Sequence, residues 1–141
     1  MRFRLRRGDT FLAQGQIFLD PITGHYRTAW ARTGTTPQGP AGYVPANVTG
    51  FRIWMTAKYN RQDFDNQAVF EIDNMALTGI TVVNPLAGTF TATAPPQATV
   101  SFPDGKVELK YDVQIKDTLA RIFTADDGEL DVYPDVTRAT A

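Results

Sequence analysis

The chain has no cysteine and a single histidine in its 141 residues. The first absence removes disulfides, thiolate metal ligands and a cysteine nucleophile, and the second removes every site that needs two imidazoles. There is no run of about 18 apolar residues to cross a bilayer as a helix. The opening MRFRLRR is not followed by the apolar stretch of a secretory leader. A net charge of −1 lacks the basic excess that a general nucleic-acid binder uses against phosphates. No window shows helical periodicity bounded by caps. These absences exclude much familiar enzyme chemistry, and neither a metal, a cofactor, nucleic acid nor a membrane is expected as a partner.

What is present favours β-structure. Val, Ile, Thr, Phe, Tyr and Trp make up 51 of the 141 residues, and these side chains suit a pleated, half-buried surface. Lys106 to Lys116 alternates strictly, with Val107, Leu109, Tyr111, Val113 and Ile115 on one face. Thr49 to Tyr59 repeats the pattern. Shorter candidates are Thr10 to Phe18, Ala68 to Asp73, Gly79 to Val83, Gly88 to Ala94, Thr99 to Phe102, Ala120 to Thr124 and Glu129 to Tyr133. Asp104-Gly105 and Asp127-Gly128 have the composition of tight hairpin turns between such runs. About eight strands at regular spacing imply an antiparallel sandwich or barrel in one domain, residues 9–141, preceded by a basic arm, residues 1–8.

Two segments break the rhythm. Residues 20–47 carry four Gly and four Pro, the composition of a long loop, yet also hold Tyr26, Trp30 and Tyr43. In the arm, Arg2, Arg4, Arg6 and Arg7 accompany Phe3 and Leu5, as an edge strand, an arm laid on a neighbour's sheet or a solvated terminus would. Residues 1–32 hold six Arg against two Asp, and residues 104–135 hold four basic against nine acidic residues, so the two ends attract within or between chains. Both segments are expected to gain order by packing on neighbours, with Arg2, Arg4, Arg6, Arg7, Tyr26, Trp30 and Tyr43 as partner contacts.

Other candidates for chemistry have plainer explanations. Arg7-Gly8-Asp9 is an integrin-type tripeptide but leads directly into a strand, where a turn suffices. Asp126, Asp127, Glu129 and Asp131 lack the ligand spacing of a calcium loop. His25 has no partner nucleophile in view. The pairs Asp63 and Asp65, or Asp104 and Glu108, suit solvated turns. Trp54 shares its face with Arg52, Thr56 and Lys58, either partly exposed or covered by the long loop, and an exposed Trp30 or Trp54 would make a glycan-binding module the main rival reading.

Four segments carry a family likeness: RRGDTF (Arg6 to Phe11), VTGFRIWMTAKY (Val48 to Tyr59), VELKYDVQIKD (Val107 to Asp117) and GELDVYPDVTRA (Gly128 to Ala139). Together they resemble the N-terminal domain of phage baseplate upper proteins. The resemblance implies an immunoglobulin-like sandwich that joins fibre or receptor-binding components to the tail of a bacteriophage, with no chemistry of its own. Its partners would be other virion proteins and copies of itself, its place the virion, and its site of synthesis the cytoplasm of the bacterial host. Two departures are the long insertion at 20–47 and the absence of the helical and C-terminal parts of the larger protein. A capsid-surface decoration protein would use the same sandwich.

Overall fold

Where the sequence keeps period two, one set of side chains turns inward. The computed structural model describes residues 1–31, 36–64, 67–76, 78–99, 102 and 105–134. They form strands β1 (Arg2–Arg6), β2 (Phe11–Leu19), β3 (Tyr26–Trp30), β4 (Val44–Pro45), β5 (Arg52–Lys58), β6 (Phe70–Asp73), β7 (Ile80–Asn84), β8 (Thr89–Ala94), β9 (Val107–Lys116) and β10 (Ile122–Tyr133). Leu109, Tyr111, Val113 and Ile115 of β9 are buried together with Ile53, Met55 and Ala57 of β5, while the residues between those of β9 face outward.

One sheet has the order β1-β10-β9-β5-β6, and the other has the order β3-β2-β8-β7, with β4 paired to the end of β2. All pairings are antiparallel except that β1 runs parallel to β10. The two inner faces meet in one core that includes Ile17, Phe90 and Ala92 from the second sheet. The chain is therefore an all-β, two-sheet sandwich.

Two expectations are corrected, and of the readings open for the arm the edge strand is the one observed. Asp127-Gly128 is not a turn: both residues lie inside β10, opposite Asp112 and Tyr111, so the two short strands expected at 120–124 and 129–133 are one. Gly128 serves close approach instead, because a Cβ there would strike the Tyr111 ring and the Met1 carbonyl of the neighbouring chain segment. Residues 20–47 are not one loop, since Tyr26–Trp30 pairs with β2 across a turn. In that turn Asp20 accepts from Ile22 N–H and Thr23 O–H, which holds its carboxyl below the usual range. The basic arm is the edge strand β1 of the chain's own sheet. The strand expected at Thr99–Phe102 and the Asp104-Gly105 turn fall partly outside the described residues; Thr99 itself follows a single 3-10 turn, Pro96–Ala98.

The true hairpin between β9 and β10 is built on Asp117. Its carboxylate accepts from Leu119 N–H (3.0 Å), Arg121 N–H (2.9 Å) and Arg121 Nε (2.8 Å). Burial would push this carboxyl up, but those donors outweigh it and hold it below the ordinary carboxylate value. Ala120 closes the turn at φ 61°, where an L side chain costs about 1–2 kcal/mol. Ala120→Gly is accordingly expected to raise stability by about 0.5–1 kcal/mol, read as a higher urea midpoint; an unchanged or lower midpoint would show that the turn stores no strain.

Candidate interaction site

The two sheets meet along a seam between β3 and the first half of β10, and a β-bulge builds it. The β9–β10 register slips between Thr124 and Asp126, so Ala125 is the extra residue. Ala125 itself packs into the core, and the inward phase beyond the bulge falls on Asp126, Gly128 and Leu130. The Asp126 carboxylate thus points into the sandwich, where Oδ2 accepts from Trp30 Nε1 (2.6 Å) and from Tyr111 O–H (2.7 Å). One oxygen ties β3 of one sheet to β9 and β10 of the other. Burial, and then the Asp126 charge and hydrogen bond, push the Tyr111 phenol far above its ordinary value. Around this point Phe3 stacks edge-on against Trp30 (5.0 Å) and Phe11 (5.3 Å), and Trp30 against Phe90 (5.5 Å).

Outside this floor the seam opens as a cleft of about 470 Å³, lined by His25, Tyr26, Arg27, Tyr43, Phe123 and Asp126 among others. Tyr26 packs on Phe123 (5.1 Å) and Phe51 (5.9 Å) at the cleft wall, and burial pushes its phenol upward. The cleft joins a partly buried aromatic wall, an exposed guanidinium and a carboxylate, which is a chemistry of contact and hydrogen bonding.

The structure brings Tyr26 and Tyr43 to that cleft and takes the other expected contacts elsewhere. Trp30 is not an anchor for a partner: it is 9% exposed, and its one polar atom is satisfied by Asp126. The arginines of β1 face the outside of the larger sheet, opposite the acidic residues of β10. Arg2 pairs with Glu129 and donates to Asp131 (2.6 Å), which also faces Lys106 at 3.8 Å. The pairing raises the Arg2 pKa further, with Asp131 as its main cause. Arg4 lies over the Tyr133 ring at 5.7 Å, and Arg6 is exposed. Arg7 donates to Phe102 O (2.8 Å). The charge asymmetry between the chain's ends is thus spent within one molecule.

The remaining candidates resolve by strand geometry. Arg7-Gly8-Asp9 is a turn, closed by Asp9 N–H to Arg6 O (3.0 Å), with Gly8 at φ 84°. The acidic cluster is split by period two, Asp126 inward and Asp127, Glu129 and Asp131 outward, each outward carboxylate near a Lys or Arg. Asp63 caps a turn through Asn60 N–H, and Asp65 and Asp104 lie outside the described residues. Trp54 is buried under Arg52, whose guanidinium sits 4.3 Å from the ring and is held there by Asp73; the long loop instead covers Phe18, against which Gly39 packs. Neither indole presents a face for a sugar ring.

The role of Asp126 was legible only as a phase slip. Read backward from Val132, the apolar phase runs through Leu130, Gly128 and Asp126, whereas Phe123 falls out of step, so an extra residue and an inward carboxylate are encoded together. Compared with known proteins, the chain matches no protein-family model, no curated protein and no solved structure.

Asp126→Ala strands two buried donors and is expected to cost about 2–4 kcal/mol in urea unfolding, with Asp126→Asn, which keeps an acceptor, losing less. A loss below 1 kcal/mol, roughly the value of an ordinary single hydrogen bond, would remove the seam's central tie. The phenol of Tyr111 has its folded-state pKa raised, so its contribution is complete below the unfolded value of about 10 and is lost as pH rises through the folded one. Stability should therefore fall above about pH 10, and Tyr111→Phe should flatten that decline while lowering the plateau at neutral pH. An equally steep alkaline limb in the variant would assign the decline to other groups.

Proposed function

We propose that the chain is a non-enzymatic structural protein of a bacteriophage virion, an immunoglobulin-like joint that attaches tail, baseplate or fibre components through protein–protein contacts. The observation that carries this reading is where the four family-like segments fall. RRGDTF ends β1 and leads into β2, VTGFRIWMTAKY is β5, VELKYDVQIKD is β9, and the described part of GELDVYPDVTRA is the end of β10. Three of the four segments thus become the neighbouring strands β10-β9-β5 of a single sheet, and RRGDTF links the edge strand β1 of that sheet to β2 of the other.

The strand order supports the immunoglobulin-like part of the proposal. Taking β2, β5, β6, β7, β8, β9 and β10 as B, C, C′, D, E, F and G, the sheets read G-F-C-C′ and B-E-D, the arrangement of a variable-type domain. The inserted β3 extends the B-E-D sheet beyond β2. The contact surface of the joint is the seam cleft with Tyr26, Arg27 and Tyr43 together with the loops at its end of the sandwich. Tight contacts in such a module come from a few aromatic and arginine side chains, and this cleft supplies both kinds.

Gold-conjugated antibody against the chain, applied to intact particles of the encoding phage, tests the reading. Label at the tail tip or collar is expected. Label spread over the head would replace the joint with a capsid decoration protein, and particles that lack the protein altogether would overturn the virion assignment.

A further inference from the structure

A single exposed aliphatic side chain needs no explanation, but several held out by one device at one place do. Among the described residues, six of the eleven exposed large hydrophobic side chains lie at the end of the sandwich where β2 passes to β3, β7 to β8 and β9 to β10: Ile22, Val44, Met75, Leu86, Leu119 and Ile122. The segment 44–50 runs across that end and meets each turn. Val44 pairs with Leu19 at the base of the first, Val48 N–H donates to Pro85 O (2.8 Å) in the second, and Gly50 lies against Thr118 in the third. Met75, from the connection of β6 to β7, lines the same depression as Gly50 and Thr118.

Four of the six stand on one construction. A side-chain oxygen of Asp or Asn accepts the backbone N–H two residues on: Asp20 from Ile22 (3.0 Å), Asp73 from Met75 (2.8 Å), Asn84 from Leu86 (3.2 Å) and Asp117 from Leu119 (3.0 Å). Each turn is fixed by this bond, and the aliphatic residue at its tip is left 57–93% exposed. The same device sets the charge of this end. Asp73 and Asp117 are buried, and Asp20 is drawn back onto Ile22 N–H and Thr23 O–H. The charged side chains exposed beside the tips are Lys116 and Arg121. Aliphatic groups and cations thus face outward together, while the carboxylates are turned back into their own turns.

We infer that this end is a lipid-contact surface, on which the turn tips enter the boundary between headgroups and acyl chains of an anionic bilayer while Lys116 and Arg121 meet its headgroups. Tight protein contacts rely on aromatic and arginine side chains in packed pockets, where leucine is under-represented. Here the tips are aliphatic and stand on separate turns, a form that fluid acyl chains accommodate without a matching shape. Each tip contributes in proportion to the apolar groups it buries, and the neighbouring cations gain from a negative leaflet that would repel exposed carboxylates. A few side chains of this kind give reversible binding, not permanent anchoring. The lack of a long apolar run, which made a membrane an unexpected partner, bears only on crossing a bilayer. This inference stands on the turn tips and does not depend on the virion reading; held together with it, the seam cleft meets protein and the tips meet lipid.

Co-sedimentation of the full chain with sucrose-loaded vesicles tests it, comparing an equimolar mixture of phosphatidylcholine and phosphatidylglycerol with phosphatidylcholine alone. The chain should bind the mixture, and bind the neutral vesicles less tightly. Leu86→Asp and Leu119→Asp should each weaken binding to the mixture by at least about tenfold. Leu12→Asp, at a comparably exposed leucine on the outer face of the smaller sheet, should leave it unchanged. Because the chain has no cysteine, Ile22→Cys and Leu12→Cys each give one site for a polarity-sensitive fluorophore, and vesicles should shift the emission to the blue only from the Ile22→Cys site. Failure to bind either vesicle would leave the tips to a protein partner and overturn the proposal. Equal binding to both compositions, loss of binding in Leu12→Asp equal to that at the tips, or a fluorophore at the Ile22→Cys site that stays in water would each overturn it as well. The fluorescence readout does not need the aspartate variants, so one that fails to fold does not leave the question open.

Discussion

A half-buried carboxylate oxygen is costly unless it is satisfied, and at Asp126 Oδ2 that requirement organises the seam. The bulge at Ala125 exists in the register to turn this side chain inward, and Trp30 and Tyr111 are positioned to donate to it. Hydrogen bonds to a charged acceptor are among the stronger ones in folded chains, and two here converge on a single oxygen. Because Trp30 belongs to one sheet and Tyr111 to the other, the pair fixes how the layers meet, which general apolar packing leaves freer. The aromatic cluster of Phe3, Phe11, Trp30 and Phe90 then fills the space around this tie.

The outer surfaces of the two layers follow opposite rules. On the larger sheet, rows of arginine and lysine stand beside rows of aspartate and glutamate, so charge is neutralised across neighbouring strands. Pairs exposed on both sides, such as Lys106 with Glu108, add little stability, since water competes for them, whereas Asp131 and Asp73 lie buried beneath Arg2 and Arg52. Their effect is on pairing: acidic residues on β10 opposite β1 arginines favour this register over a slipped one. The smaller sheet has threonine, glutamine and aliphatic residues in the corresponding positions, and a bulge at Val83 interrupts its outer strand β7.

The long strands were legible because alternation over nine or ten residues admits no helical reading, and β2, β5 and β9 lie close to where their patterns end. β10 was split in the sequence because Asp-Gly composition mimics a hairpin, and only the close approach of the Tyr111 ring and Met1 carbonyl explains a glycine in mid-strand. The hairpin was missed for the converse reason: its left-handed position is occupied by Ala120, not glycine. β3 was hidden by the prolines and glycines flanking it. The aromatic residues within that stretch did signal packing, but whether Trp30 packs on its own chain or another depends on the distant Asp126, which no local pattern links to it. Tyr26 and Tyr43 reach the cleft by the same tertiary route.

The parallel pairing of β1 with β10 joins the first and last strands among the described residues, Arg2 opposite Glu129 and Arg6 opposite Tyr133. Contacts this distant in sequence form late, because the entropy of closing so long a loop is recovered only once β10 offers a paired surface for β1. During synthesis Phe3 and Leu5 emerge ahead of the rest of the sandwich, yet their docking site is absent until residues 129–133 have left the ribosome. Until then the basic segment is a free arm with exposed apolar side chains, and the nascent sandwich lacks the strand that covers the Trp30 and Tyr111 rings. Synthesis through Tyr133 is therefore a physical precondition for sealing the core, and a chain stalled before β10 would hold its arginines available to whatever acidic surface lies nearby.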